Sequence, residues 1–245
     1  MTTIYLSGAN ANSDRTVAGL ASSPGWAADP MPLLLSFAYR QGTDRVLAML
    51  RSTQLMLDSG AYTAHTLGKV INLRDLIAEA KNPRWTEVVS LDVISDWQAS
   101  KANAETMSAA LGYDRVIPVF HMGEPWQVLA DYCARWRKVG LGGLVGQPRA
   151  IVTAFLGQVF ARSWPKRFHI FGVSGDTILG LYPFESADAA SWVLAPNVQK
   201  RGVMAGQPLK VTDLNREHGI AMWVADTRVR QARLRARWQK ELARL

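Results

Sequence analysis

The chain has 245 residues, 48% hydrophobic and 20% charged, enough for one sizeable core and unlike a disordered or fibrous composition. Its formal net charge of +8 and pI near 9.9 favour polyanionic partners over acidic small molecules. A lone cysteine, Cys133, excludes an internal disulfide and a cysteine-rich zinc site, and no apolar run approaches the ~20 residues of a bilayer span.

The opening MTTIYLSGAN has neither the basic flank nor the apolar length of a signal peptide, so a cytoplasmic protein with no membrane partner is expected. From there to residue 192, β-like runs alternate with helical patterns. Strands are predicted at TIYLSG (3–8), PLLLSFAY (32–39), QLMLDSG (54–60), EVVSLDVI (87–94), RVIPVFHMG (115–123), VGLGGLVG (139–146), RFHIFGVSG (167–175) and YPFESAD (182–188). Helices are predicted over 13–22, 43–51, 73–81, 97–111, 125–138, 149–163 and from about Ala189. Eight strands, each followed by a helix, predict an α/β fold, a (β/α)8 TIM barrel over residues 1–194, with its active site at the C-terminal ends of the strands. The polar residues agree. Asp58 ends the third strand and Asp92 the fourth; His121 and Glu124 follow the fifth, Gly142, Gly143 and Gly146 end the sixth, Ser174 and Asp176 follow the seventh, and Asp188 ends the eighth. A doubly wound open sheet shares the alternation but gives no reason for polar groups at so many strand ends.

Residues 195–245 read as a loop excursion and an Arg-rich helix packed on the same domain. The excursion, to about Met222, is rich in Gly, Pro and basic residues, and its Lys200, Arg201, Lys210 and Arg216 suit either phosphate contact or a plain surface loop. From 227 to 245, seven Arg or Lys residues face one acid, Glu241. Val229, Leu234, Trp238 and Leu242 would dock this helix. Its other side, with Arg228, Arg230, Arg233, Arg235 and Arg237, would meet phosphates; the two uses are compatible.

Taken singly, the strand-end residues also fit humbler duties: Asp58 a turn cap, Asp92 or Asp96 the cap of the helix starting near Trp97, His121 a core histidine, the glycines a bulge, and Asp188 a helix cap. Jointly they carry a resemblance. DSGAY (58–62) looks like the Asp-Ser-Gly-Gly-Phe motif of the tRNA-guanine transglycosylase superfamily, and GLGGLVG (140–146) resembles its Gly-Leu-Ala-Val-Gly segment. SLDVISD (90–96), PVFHMGE (118–124), HIFGVSG (169–175) and PFESADAASW (183–192) follow in the family's order, so the match spans roughly residues 50–192. It is strongest to the shorter phage-type and bacterial relatives that insert 7-deazaguanines into DNA.

The resemblance implies exchange of guanine for a 7-deazaguanine, such as 7-cyano-7-deazaguanine, at an unbroken sugar–phosphate backbone. Asp188 would be the nucleophile forming a glycosyl-aspartate, and Asp58 the acid/base for the departing and arriving bases. Asp92 would accept from the base N1–H and exocyclic amine, His121 stands where the family has a base-contacting glutamine, and Gly142, Gly143 and Gly146 would let the base oxygen approach the backbone. Ser59 and Tyr62 join the base-binding set, Tyr62 as the stacking candidate for a flipped base, with Phe120, Phe171 and Trp192 more suited to the core. DNA is the implied partner, in a bacterial or phage-infected cell; a homodimer is left open. Two family features are missing, the zinc subdomain of three cysteines and a histidine, and the Pro-Thr-Arg segment after the nucleophile. No metal or other cofactor is therefore expected, and tRNA specificity is placed in doubt. The same exchange on tRNA, or a catalytically silent nucleic-acid-binding barrel, remain the alternatives.

Overall fold

This computed structural model describes residues 2–173, 175–193, 203–204, 207–208 and 216–243. Its strands are β1 (Thr3–Ser7), β2 (Leu33–Ser36), β3 (Leu55–Asp58), β4 (Glu87–Val89), β5 (Val116–Ile117), β6 (Val119–His121), β7 (Lys138–Gly142), β8 (Arg167–Ile170) and β9 (Ser186–Ala189). All pair in parallel in the order β5-β4-β3-β2-β1-β9-β8-β7-β6. Only Pro118 separates β5 from β6. The two are one interrupted strand, paired with β4 through its first half and with β7 through its second, which brings the ends of the sheet together. Pro118 has no N–H for the ladder, but its carbonyl still accepts from Gly140 N at 2.8 Å. The result is the predicted TIM barrel, its eight strands where the sequence placed them.

Helices α1 (Asp14–Ala21), α2 (Thr43–Met49), α4 (Leu73–Ala80), α5 (Trp97–Leu111), α6 (Trp126–Arg135) and α7 (Arg149–Ser163) fall on predicted segments. Their starts follow local chemistry: Asn72 accepts from the N–H groups of Arg74 and Asp75, and Asp96 accepts from Ala99 N at 2.9 Å. Asp96, not Asp92, is thus the cap of α5. Two short helices, α3 (Ala61–Thr66) and α8 (Asp176–Leu179), escape prediction because so few residues show no 3.6-residue period.

Period-two alternation sorts the strand side chains. Ile4, Leu6, Leu33, Leu35, Val139 and Leu141 point outward into the main core with helix residues such as Val17, Leu20 and Leu156. Tyr5, Leu34, Met56, Val89, Ile117 and Val119 form a separate cluster that fills the lumen. Below it, at the N-terminal ends of the strands, buried Lys138 pairs with Glu87 and Glu185, each at 2.7 Å. Burial acts first to raise the Glu87 carboxyl, but Lys138 and Arg137 overcome it and hold it below the usual range.

The end of the chain corrects two expectations. Helix α9 (Arg216–Leu242) begins within the segment read as an excursion, and β10 (Val203–Met204) pairs antiparallel with β11 (Gln207–Pro208) there as well. Ile220, Trp223, Val224 and Thr227 form a buried stripe at helical spacing, and α9 packs along α1. Fully buried Ile220 and Val224 each contribute on the order of 2 kcal/mol. Of the predicted docking residues Leu234 is buried, whereas Val229 is 58% exposed because it lies off this stripe. Leu242's side chain lies outside what is described.

Candidate active site at the C-terminal mouth

The alternation that aims Tyr5 and Met56 into the lumen aims Ser36, Asp58, His121 and Asp188 into its upper end. Asp58 closes β3, opposite Ser36 of β2 in the ladder. Its Oδ2 accepts from Gly60 N at 3.0 Å, so it does cap the turn before α3, and that duty occupies one oxygen. Gly60 is required there: its φ is +76°, and a Cβ would stand 2.7 Å from both Ala38 N and Ala38 Cβ. Burial first, and then the charge of Asp188, push the Asp58 carboxyl up to about 6, with the Ser36 hydroxyl and the Gly60 amide pulling the other way.

Asp188 lies in β9 opposite Tyr5 of β1 and is buried. Its Oδ1 accepts from Gly172 N at 2.7 Å and lies 3.6 Å from His169 Nε2. These contacts tie the end of β9 to the neighbouring β8 and the turn after it rather than capping a helix. Two neighbouring polar residues have other positions: Ser186 is buried lower in the barrel, and Asp176 pairs with Arg230 at 2.9 Å.

Beside this pair stands a second constellation. His121 Nε2 is 3.5 Å from Asp92 Oδ2, its Nδ1 is 3.2 Å from Glu124 Oε1, and its backbone N–H donates to Glu124 Oε2 at 3.0 Å. His121 is thus a clamped ring between two carboxylates. Burial would lower its pKa, but the Glu124 hydrogen bond and the charges of Asp92 and Glu124 raise it. Burial dominates at Asp92: it raises the carboxyl to about 7, helped by Glu124 and Asp58 and opposed by His121. Asp92 Oδ1 is buried without a hydrogen-bond partner, so the site holds an acceptor with no donor on it.

The glycines divide. Gly142 faces His121 in the ladder, and a Cβ there would lie 2.7 Å from the imidazole Cδ2 and Nε2, so its missing side chain makes room for His121 rather than for a ligand. Gly143 and Gly146 have φ of +73° and +80°; the first has its nearest neighbours at 3.7 Å and the second none within 4 Å. Both leave open backbone at the rim. Tyr62, on α3, is 75% exposed at the mouth, whereas Ser59 is buried. Phe120 faces outward and stacks with Phe155, and Trp192 is buried, donating to Ser7 O at 2.8 Å; only Phe171 reaches the lumen.

The basic set also divides. Arg228 is a docking residue, donating to the carbonyls of Pro24, Gly25 and Asp29, because α9 needs anchoring beside the loop that follows α1. Arg230 pairs with Asp176 and Asp226. With Thr3, Pro32 and Gln231, Arg228 and Arg235 line a cavity of about 290 Å³ at the N-terminal ends of β1–β3, on the face opposite the mouth. Arg237 lies over the Trp238 ring, and Arg233 is 71% exposed, with Asp176 at 3.7 Å. Lys200 and Arg201 lie outside the described residues. Among the described residues no group of three His, Cys, Asp or Glu side chains is placed to hold a metal ion, and no helix is long and apolar enough to cross a membrane.

Sequence reasoning gave Glu124 no role and passed over His169. The first was legible as a carboxylate three residues beyond a strand-end histidine. The second was legible from the alternation of RFHIF, which puts His169 and Phe171 on the lumen side.

No family model matches the chain, and no curated protein matches its sequence. Two mutant structures of the tryptophan synthase α-subunit from the hyperthermophile Pyrococcus furiosus resemble it with TM-scores of 0.50 at 14% identity, over 91% of this chain and 95% of theirs. That likeness shows the TIM-barrel fold.

Proposed function

We propose that this protein is a transglycosylase that exchanges guanine in DNA for a 7-deazaguanine. The observation that carries the reading is the pair Asp58 and Asp188, both aimed into the upper end of the lumen from β3 and β9, with burial and then the charge of Asp188 pushing the Asp58 carboxyl up to about 6. Double displacement at an anomeric carbon needs a nucleophilic carboxylate and a second group able to give and take a proton near neutral pH.

In this reading Asp188 Oδ2 attacks the sugar C1′. The glycosidic C–N bond breaks, its electron pair leaves with guanine, and guanine takes the proton of the Asp58 carboxyl. The incoming base returns a proton to Asp58, attacks the same carbon and releases Asp188, so the configuration is retained through two inversions. Asp92, with an oxygen lacking a donor, suits the N1–H and exocyclic amine of a guanine-like base, and clamped His121 borders the same space. Tyr62 supplies an exposed ring for a base swung out of the stack. The mouth is carboxylate-rich, so the phosphates run outside it, and Arg233 is the best exposed candidate to meet them.

The test is incubation of the purified protein with duplex DNA, with tRNA, and with labelled guanine or 7-cyano-7-deazaguanine, followed by nucleoside analysis by mass spectrometry. Label entering DNA but not tRNA, and lost in Asp188→Ala while DNA binding persists, is the expected result. Label in tRNA alone would move the substrate to tRNA. Binding of DNA with no exchange under any condition would replace the enzyme with a binding module.

A further inference from the structure

A polar chain runs up through the lumen from the N-terminal end of the barrel to Asp188. At its foot, Lys138 Nζ contacts Glu87 Oε1 and Glu185 Oε1, each at 2.7 Å. The same ammonium donates to Ser186 Oγ at 3.5 Å. Ser186 Oγ lies 2.8 Å from His169 Nδ1. At the top, His169 Nε2 lies 3.6 Å from Asp188 Oδ1 and is buried without a hydrogen-bond partner. His169 is fully buried, its ring edge-on to Tyr5 and Phe171, so it has little freedom to turn elsewhere.

The direction of the protons follows from the foot of the chain. An ammonium is a donor only, so the Ser186 oxygen accepts from Lys138 and its hydroxyl proton is free to go to His169. Nδ1 is then the acceptor, and the ring proton sits on Nε2, the nitrogen that faces Asp188. A buried imidazole N–H with no other partner has one acceptor within reach, Asp188 Oδ1, a few tenths of an ångström beyond ordinary hydrogen-bond distance.

We propose that His169 is a positioning residue for Asp188: with the Gly172 amide it holds Oδ1 and leaves Oδ2 as the attacking atom. The inference rests on the transglycosylase reading for its catalytic consequence, but its geometric content stands without it. When Oδ2 bonds to C1′, Oδ1 becomes the carbonyl oxygen of the ester and keeps both donors. When the ester breaks, the electron pair returns to a carboxylate already solvated by fixed dipoles, which is how preorganised donors lower a barrier. Lys138 and Ser186 act one step further back, by fixing which ring nitrogen carries the proton.

Two measurements test this. The first is ¹⁵N NMR of the histidine rings in the wild-type protein and in Asp188→Asn. The expected result is a His169 ring protonated on Nε2, with an Nε2 shift that changes in the variant; a proton on Nδ1, or a ring blind to Asp188→Asn, overturns the proposal. The second is exchange kinetics of His169→Phe and His169→Gln, each first shown to be folded. Phenylalanine keeps the ring but removes the donor, and about a 10- to 100-fold loss in kcat with KM for the incoming base unchanged is expected. Glutamine restores an N–H donor and should recover most of that loss. A His169→Phe protein with wild-type kcat, or a glutamine variant as impaired as the phenylalanine one, overturns the proposal. If the wild type exchanges no base, the transglycosylase reading fails and the NMR measurement alone decides the positioning.

Discussion

Replacing Asp58 by asparagine measures what its carboxylate costs the fold. The carboxyl titrates at about 6 in the folded protein rather than at 3.8, because burial and then the charge of Asp188 disfavour ionisation. A rise of roughly two pH units corresponds to about 3 kcal/mol, at 1.36 kcal/mol per unit. The folded state holds this proton more tightly than the unfolded chain, so the group's favourable contribution is complete below about pH 4 and lost as pH rises through about 6. Asparagine carries no charge and keeps an acceptor for the Gly60 amide. Asp58→Asn is therefore expected to be near neutral in stability around pH 4 and to exceed the wild type above about pH 7 by up to ~3 kcal/mol. For a chain of this size that is a Tm gain of up to about 6–12 °C. In an Asp188→Asn background the gain should shrink, since the second cause is gone. Urea denaturation followed by tryptophan fluorescence, near pH 4 and near pH 7.5, reads both numbers. A variant destabilised equally at the two pH values would refute the reasoning, because the carboxylate's local bonds would then outweigh its burial.

Gly142→Ala places a methyl 2.7 Å from the His121 ring and should cost about 1–3 kcal/mol in urea denaturation; a cost under about 0.5 kcal/mol would show that the ring moves freely. Glu124→Gln replaces a charged acceptor beside His121 with a neutral one, so the imidazole titration followed by NMR should move to lower pH, and an unchanged titration would dismiss Glu124 as its clamp. Lys138→Met removes the buried ammonium between Glu87 and half-buried Glu185, leaving Arg137 to pair with both and Arg167 with Glu185, and should destabilise by up to about 3 kcal/mol near neutral pH. Pairing holds the Glu87 carboxyl low in the wild type, a contribution present above the unfolded pKa and lost as pH falls, so the deficit of Lys138→Met should narrow in acid; a pH-independent deficit would count against the ion pairs as its cause.

Much of the fold and site was legible because its signals are local. Strand and helix periods lie within ten or fifteen residues, and the carboxylates at the ends of QLMLDSG and SLDVISD are adjacent in sequence to the strands that carry them. The position of Asp58, Asp92, His121 and Asp188 at one mouth of the barrel could therefore be named in advance. What the sequence did not show are interactions whose strength depends on distances between strands far apart in the chain. Strand order and register set Asp188 close enough to Asp58 to raise its pKa, put Gly142 beneath the His121 ring, and align Lys138, Ser186 and His169 below Asp188. The tail makes the same point from the surface. The charge of Arg228 and Arg230 is plain in the sequence, but whether a guanidinium is offered to phosphates or bonded to carbonyls and carboxylates of its own chain is decided by the neighbours that packing of α9 brings within reach. By itself the sequence determined which residues face the lumen and at which end. Only the tertiary structure decided which of them touch, because hydrogen bonds and Coulomb interactions in a desolvated barrel change steeply over a few tenths of an ångström.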